Sequence, residues 1–217
     1  MRCCSRSILF AALTAVLVVA TVSDTSARMR PSFFDVVLEG GAVQPLGDLD
    51  AGFDTPAGFE ASTGFDIGVR FRQRFVSGWA IAPSFHYVEF GSYLGENESI
   101  GVFETSASMY RYGVDLQYYF PAPRNAPQLF VSGGAALIRN RMREDYLVDD
   151  SFFADGVNSM ALAVGGGLQV GNFEFLAQYH RNHFDTARFY DGVESYAWDY
   201  ISFQVGIALP STFSRTR

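Results

Sequence analysis

The chain has 217 residues, enough for one domain with a sizeable core. Its formal net charge of −7 excludes the basic surface that nonspecific nucleic-acid binding needs, so we expect no nucleic-acid partner. Its only cysteines, Cys3 and Cys4, precede the first apolar stretch, whereas a lipoprotein cysteine would follow it. We therefore predict no disulfide in the exported part and no cofactor.

The N-terminus has the pattern of a secretory signal peptide. Arg2 and Arg6 give a positive start, residues 8–22 form an apolar stretch, and small residues precede a cleavage site after Ala27. The alternative, a transmembrane anchor, needs about 20 apolar residues, and this stretch is shorter. We predict export through the Sec pathway, with a signal peptide at residues 1–27 and one domain at residues 28–217.

Period-two alternation then runs along most of the chain. In residues 111–120, Tyr112, Val114 and Leu116 share one face of a strand, while Arg111 and Asp115 share the other. The same pattern predicts eight strands, at residues 33–44, 62–75, 79–91, 105–120, 128–140, 158–171, 173–184 and 197–209.

The predicted connections alternate in length. Those at residues 76–78, 121–127 and 171–172 are short, whereas those at residues 45–61, 92–104, 141–157 and 185–196 are long and acidic. Bacterial outer-membrane barrels have short periplasmic turns and longer outer loops. The fold class we predict is all-β, an eight-stranded antiparallel up-and-down transmembrane β-barrel.

Alternation alone does not decide which face points outward, because a soluble lipocalin-like binding barrel would hide the apolar face inside. Three features favour the membrane orientation: the export signal, charges of both signs on the polar face, and aromatic residues at both strand ends, as in interfacial girdles. The aromatic residues are Phe34, Phe75, Trp79, Tyr118, Phe120 and Phe173 at the turn ends, and Tyr87, Tyr93, Tyr110, Phe184, Tyr196 and Trp198 at the loop ends.

At this point residues 33–209 resemble the small outer-membrane β-barrels of the OmpA/OmpX/OmpW type. The resemblance rests on the export signal, the loop–turn asymmetry, the opening at residues 36–42 and the last strand, Ile201 to Leu209. It implies a non-enzymatic, porin-like or OmpX-like envelope protein in the outer membrane of a Gram-negative-type bacterium, inserted by the outer-membrane assembly machinery. One departure is that the last strand ends at Leu209, where many such chains end in an aromatic residue.

The polar faces supply candidate lumen residues, because an eight-stranded barrel is barely wide enough for its own side chains. Arginine and carboxylate can form bidentate, charge-assisted bonds there. We interpret these residues as a structural network, with a gated pore and catalysis as the alternatives. They are Glu39, Asp66, Arg70, Arg72, His86, Arg111, Asp115, Glu174 and His180.

A second set of candidates lies on the predicted outer wall. Arg139, Arg141 and Arg143 share one face at the loop end of the fifth predicted strand, and Arg181 has the outward register of the seventh. Arginine matches phosphate oxygens well, so we predict that these four residues contact lipopolysaccharide. The alternatives are a solvated loop base or a local bulge that reverses the register.

Signals for chemistry are weak elsewhere. The acidic loops lack calcium-loop spacing, no glycine loop has a phosphate-binding pattern, and His and Cys form no metal-ligand cluster, so we predict no metal and no enzyme. The sequence favours a monomeric structural or surface-interaction protein whose partners are outer-membrane lipid and lipopolysaccharide. A narrow transporter of small or hydrophobic solutes is the main alternative.

Overall fold

The computed structural model describes residues 31–51, 59–97, 101–123, 126–146, 151–185 and 195–210. The predicted signal peptide lies outside these residues. The described strands are β1 (Pro31–Pro45), β2 (Ser62–Phe75), β3 (Trp79–Gly91), β4 (Tyr93–Asn97), β5 (Gly101–Tyr119), β6 (Gln128–Tyr146), β7 (Ser151–Val170), β8 (Phe173–Asp185), β9 (Ser195–Ala197) and β10 (Tyr200–Pro210), with a 3-10 turn at Gly47–Leu49.

Eight of these strands close an antiparallel barrel. Each pairs with the next in the order β1, β2, β3, β5, β6, β7, β8 and β10, and β10 returns to pair with β1. The short β4 pairs with β5 as a continuation of β3, and β9 pairs with β8 as a continuation of β10. The predicted eight-stranded antiparallel barrel is therefore confirmed.

The long connections at residues 92–104 and 141–157 were predicted wrongly. β5 begins at Gly101, β6 continues to Tyr146, and β7 begins at Ser151, so most of these residues form paired strands. The outward-facing residues here are no longer apolar, as they are in a membrane-spanning strand. The backbone hydrogen bonds between neighbouring strands continue, because they do not depend on the side chains. At about 3.3 Å per residue, residues 101–109 extend β5 by roughly 30 Å beyond Tyr110.

Pro83 lies inside β3, where a strand normally excludes proline. Pairing with β5 continues through Pro83 and Val114, whereas the register with β2 passes from Arg70 opposite Ser84 directly to Gln73 opposite Ile81. Proline has no N–H to donate. The lost ladder bonds thus fall on the β2 side alone, and the barrel stays closed.

The half of the barrel next to the short turns is apolar outside and charged inside. Large apolar side chains with roughly half of their surface exposed cover the wall, and these are Leu38, Ile67, Val114, Leu129, Leu162, Val164, Phe175, Phe203, Val205 and Ile207. Buried arginines and carboxylates fill the interior. A soluble lipocalin-like barrel would show the opposite polarity, so that alternative is wrong.

Aromatic contacts bound the apolar band. Trp79 packs on Tyr118 at a ring distance of 5.0 Å on the turn side, and Tyr87 packs on Tyr110 at 5.2 Å on the loop side. Tyr110 and Tyr118 lie eight residues apart on β5, about 26 Å along the strand. At a strand tilt of about 40° this spans about 20 Å along the membrane normal, which is most of an apolar band of roughly 25 Å.

Three predicted girdle residues lie elsewhere. Phe184, Tyr196 and Trp198 are buried inside the barrel. Phe184 has the inward register of its neighbours His180 and Asn182, so its ring could not reach lipid.

Within the parts of the chain that the structure describes, no helix is long and apolar enough to cross a membrane.

Candidate functional site: the barrel lumen

The centre of the turn half of the lumen is a carboxylate between two arginines. Arg70 donates from Nη2 to Glu174 Oε1 at 2.5 Å and to Glu39 Oε2 at 2.6 Å. The other oxygen of Glu174 accepts a hydrogen bond from Arg72. All three side chains are almost fully buried, so each charge depends on these partners to offset its desolvation.

Arg72 is held further by Asp35 and Tyr119. Its Nε and Nη2 donate to the two oxygens of Asp35 at 2.8 and 2.7 Å, which is a bidentate pair. Its Nη1 also donates to the Tyr119 hydroxyl at 2.5 Å. The register makes this possible, because Asp35 and Arg72 are directly opposite on β1 and β2.

Arg74 covers the turn-end mouth of the lumen. Its guanidinium lies 3.7 Å from the centre of the Tyr119 ring, in a cation–π contact. It also donates to the side chains of Gln128 and Gln169. Beneath it, Tyr119 stacks on Phe130 at 4.9 Å. These contacts fill the turn end of the barrel.

His86 joins two carboxylates in the middle of the lumen. Its Nδ1 lies 2.7 Å from Asp66 Oδ1, and its Nε2 lies 3.2 Å from Glu39 Oε1. Gln204 donates to the other Asp66 oxygen at 2.5 Å. Because both ring nitrogens face carboxylate oxygens, a doubly protonated imidazolium satisfies the site best. The four buried described arginines and this ring then balance five buried described carboxylates.

Arg111 contacts a histidine directly. Its Nη1 lies 2.9 Å from Nδ1 of His180, whose Nε2 lies 3.0 Å from Ser202 Oγ. His180 stacks on Tyr200 at 4.3 Å. Asp115 is also buried inside the barrel. This layer ends the charged part of the lumen.

Above Arg111 the described part of the barrel interior is uncharged and mostly apolar, although Thr105 and the hydrogen-bonded pair Asn140 and Asn182 are also buried there. One buried cluster fills it, comprising Val43, Leu49, Phe59, Ala61, Val88, Phe90, Ala107, Met109, Ile138, Met142, Ala161, Phe184, Tyr196, Trp198 and Tyr200. We call this cluster the loop-end plug. Trp198 is its centre, with Phe59 and Phe184 edge-on at 5.3 Å each. Buried charged side chains, in the described residues, are thus confined to the turn half and the middle of the lumen.

Part of the first loop forms a lid on this plug. Leu49 and Phe59 insert their side chains, and the Asp48 carboxylate accepts a hydrogen bond from the Ala197 N–H at 2.6 Å. Gly47 has a φ of +63°, and a Cβ there would lie 2.6 Å from the Ala197 carbonyl oxygen, so glycine is required. The lid and the plug fill the loop end of the lumen.

The nine lumen residues expected from sequence are all buried inside the barrel: Glu39, Asp66, Arg70, Arg72, His86, Arg111, Asp115, Glu174 and His180. Their role stays a prediction. The sequence reasoning missed Asp35, Arg74 and Gln204, although each has the inward register of its strand. It also missed the plug, since apolar residues were assumed to face lipid.

The four arginines expected on the outer wall, Arg139, Arg141, Arg143 and Arg181, are exposed. Arg141 lies 5.9 Å from the centre of the Tyr110 ring, at the loop-side girdle. Arg143 Nε donates to Asp145 at 2.9 Å. The structure does not test contact with a lipid headgroup, which stays a prediction.

The arrangement supports packing more directly than chemistry. His86 and His180 are both enclosed by polar partners, and the described residues contain no group of three or more His, Cys, Asp or Glu side chains that could hold a metal ion. The lumen is filled at both described ends. This geometry suits a stable wall better than a solute path.

No protein-family model matches this chain, and comparison with curated proteins finds no match. Among solved structures, the chain is similar to Ail, the attachment invasion locus protein of Yersinia pestis, with a TM-score of 0.50 at 12% identity, covering 83% of this chain and all of that one. Neisserial surface protein A gives a TM-score of 0.49 at 16% identity, covering 82% of this chain and 97% of that one.

The barrel closure, the inverted polarity and the likeness to Ail define the class. The chain has the fold of the small eight-stranded outer-membrane β-barrels.

Proposed function

We propose that this protein is an integral outer-membrane protein of a Gram-negative-type bacterium, without enzymatic activity, that supports the envelope and presents a β-sheet for surface interactions. The observation that carries the proposal is the apolar outer band around a filled, charge-paired lumen. Export by the Sec pathway, insertion by the assembly machinery and a monomeric state belong to the same proposal.

The surface role rests on the protruding strands. Residues 151–160 of β7 pair with β6 alone, because pairing with β8 begins at Ala161, and β4 pairs with β5 alone among the described strands. Such edges present backbone N–H and C=O groups to which a partner strand can add. The sheet therefore suits recognition of an extended peptide outside the cell.

An accessibility experiment tests the topology. A small tag inserted near Glu96 or Asp150 should be labelled on intact cells, whereas a tag at residues 124–125 should be labelled only after the outer membrane is permeabilised. Heat-modifiable gel migration of each tagged protein serves as the folding control. Labelling with the opposite pattern would refute the proposed orientation.

We also propose that the outer-wall arginines contact lipopolysaccharide phosphates. The support is their exposure just beyond the loop-side girdle, where headgroups lie. The double variant Arg139→Gln and Arg141→Gln should retain less lipopolysaccharide after purification than the wild-type protein does. Arg74→Gln, at the turn end, should retain as much as the wild-type protein. Equal retention by all variants would exclude this contact.

A further inference from the structure

A groove of about 610 Å³ lies on the outer wall across β6, β7, β8 and β10. It exists because the middle of one lateral row of the wall, Gly166 and Ala177, has little side-chain volume. Val131 pairs with Gly166, Gly166 with Ala177, and Ala177 with Phe203. Larger side chains border this row, namely Phe120, Leu129, Leu168, Phe175 and Val205.

The lining is apolar. Gln204 is the single polar side chain among the lining residues, and it turns inward to donate to Asp66. The nearest outward arginine on β8, Arg181, lies four residues beyond Ala177, about 13 Å along the strand. No charged side chain therefore lines the groove, which rules out recognition of a charged headgroup within it.

The groove is continuous with the lipid-facing band of the barrel. Phe120 borders it at its turn end and belongs to the turn-side girdle, where it packs edge-on against Tyr118 at 5.3 Å. The groove thus runs from the turn-side interface toward the middle of the apolar band. An unfilled groove in this position would forfeit van der Waals contacts along its whole lining.

We propose that this groove is a binding site for one acyl chain of a phospholipid from the leaflet on the turn side. The site would hold the chain between Phe175 and Phe203, over Gly166 and Ala177. The inference rests on the proposed membrane insertion, and it adds a place where lipid is retained longer than on the rest of the wall.

Photolabelling of the full chain tests this site. The protein is refolded into phosphatidylethanolamine vesicles that contain a phospholipid with a diazirine in its acyl chain, and adducts are mapped by peptide mass spectrometry. We expect excess labelling of the peptide containing Phe175 over peptides of the opposite wall, such as the one containing Ile67. Replacing Ala177 by Leu should remove that excess, because the added side chain fills the groove.

Ala135→Leu is the matched control, since Ala135 also faces outward but does not line the groove. It should leave the excess unchanged. Equal labelling of all peptides, or an excess that survives Ala177→Leu, would overturn the proposal while leaving membrane insertion intact. Depleted labelling at Phe175 would instead indicate a second protein copy on this face and also overturn it.

Two further outcomes distinguish the acyl-chain site from membrane insertion in general. A phosphatidylglycerol probe with the same chain should label equally, and labelling restricted to that probe would reveal a headgroup site and refute the acyl-chain assignment. Absence of labelling on every outward peptide would refute the membrane insertion on which the inference rests.

Discussion

The barrel obeys opposite rules below and above the loop-side girdle. Below it, β5 turns Tyr112, Val114 and Leu116 outward and Arg111 and Asp115 inward. Above it, the same strand buries Ala107 and Met109 and turns Ser106 and Ser108 outward.

β6 shows the same reversal. Its outward Leu129, Val131 and Leu137 give way to the arginines at 139, 141 and 143, while Ile138 and Met142 fill the interior. The strands and their register are continuous, so the solvent alone has changed, from lipid to water. The position at which the apolar face of each strand changes from outward to inward therefore marks the loop-side boundary of the membrane.

The largest effect is expected in the charged half. Replacing Glu174 by Gln leaves Arg70 and Arg72 facing each other with weakened partners, so the free energy of unfolding should fall by about 3–5 kcal/mol. Urea titration in bilayers, followed by gel migration, measures it. Glu104→Gln, in the water-exposed extension of β5, is the control and should change little. A neutral Glu174→Gln would mean that the network does not stabilise the barrel.

The next largest effect concerns outward-facing residues on the two sides of the loop-side girdle. Val114→Arg places a charge in the apolar band midway between Tyr110 and Tyr118, near the midplane, and should cost about 2–4 kcal/mol. Ser108→Arg has the same outward register above the girdle and should be close to neutral in the same unfolding assay. Equal costs for the two variants would place both residues in one environment and remove the proposed boundary.

The two tryptophans report on the two environments separately. With Trp79→Phe, the remaining Trp198 should resist both aqueous quenchers and brominated lipid, because it is buried in the plug. In that background, Phe59→Ala should expose Trp198 to an aqueous quencher.

The accompanying loss of stability should be smaller than the roughly 3–5 kcal/mol of a Phe→Ala change in a closed core, since the lid can move without opening the barrel. Quenching of Trp198 by brominated lipid in the Trp79→Phe protein would show that the plug faces the membrane.

The smallest effect concerns the lid. Asp48→Ala removes the carboxylate that accepts the Ala197 N–H, and it should cost about 1.5–3 kcal/mol, the value of a hydrogen bond to a charged group. Asp50→Ala, on the same loop but exposed, should not matter. The readout is the quenching of Trp198, and a matching change in both variants would indicate a general effect of loop charge.

The sequence was sufficient for the membrane strands because lipid outside and charge inside force a strict alternation. Arg70 and Arg72 could therefore be placed inside from register alone. Asp35, the partner of Arg72, was missed although it has the same inward register, because no sequence rule says which residues of neighbouring strands lie at the same height.

Above the girdle the same rule no longer holds. Phe184, Tyr196 and Trp198 were expected in lipid because aromatic residues at strand ends usually form girdles there. They are buried because water surrounds this part of the barrel and apolar residues turn inward, as in a soluble protein. The outward arginines at residues 139–143 were the available signal of that change.

Conductance of the unmodified barrel in a planar bilayer tests most directly whether the lumen is filled. The central claim is that the charged half and the plug together leave no through-path. We expect no steady open conductance for the refolded wild-type protein, whose insertion is checked by gel migration. Steady conductance, with an ion selectivity that changes in Arg111→Ala without loss of stability, would contradict the claim and identify the lumen as a pore.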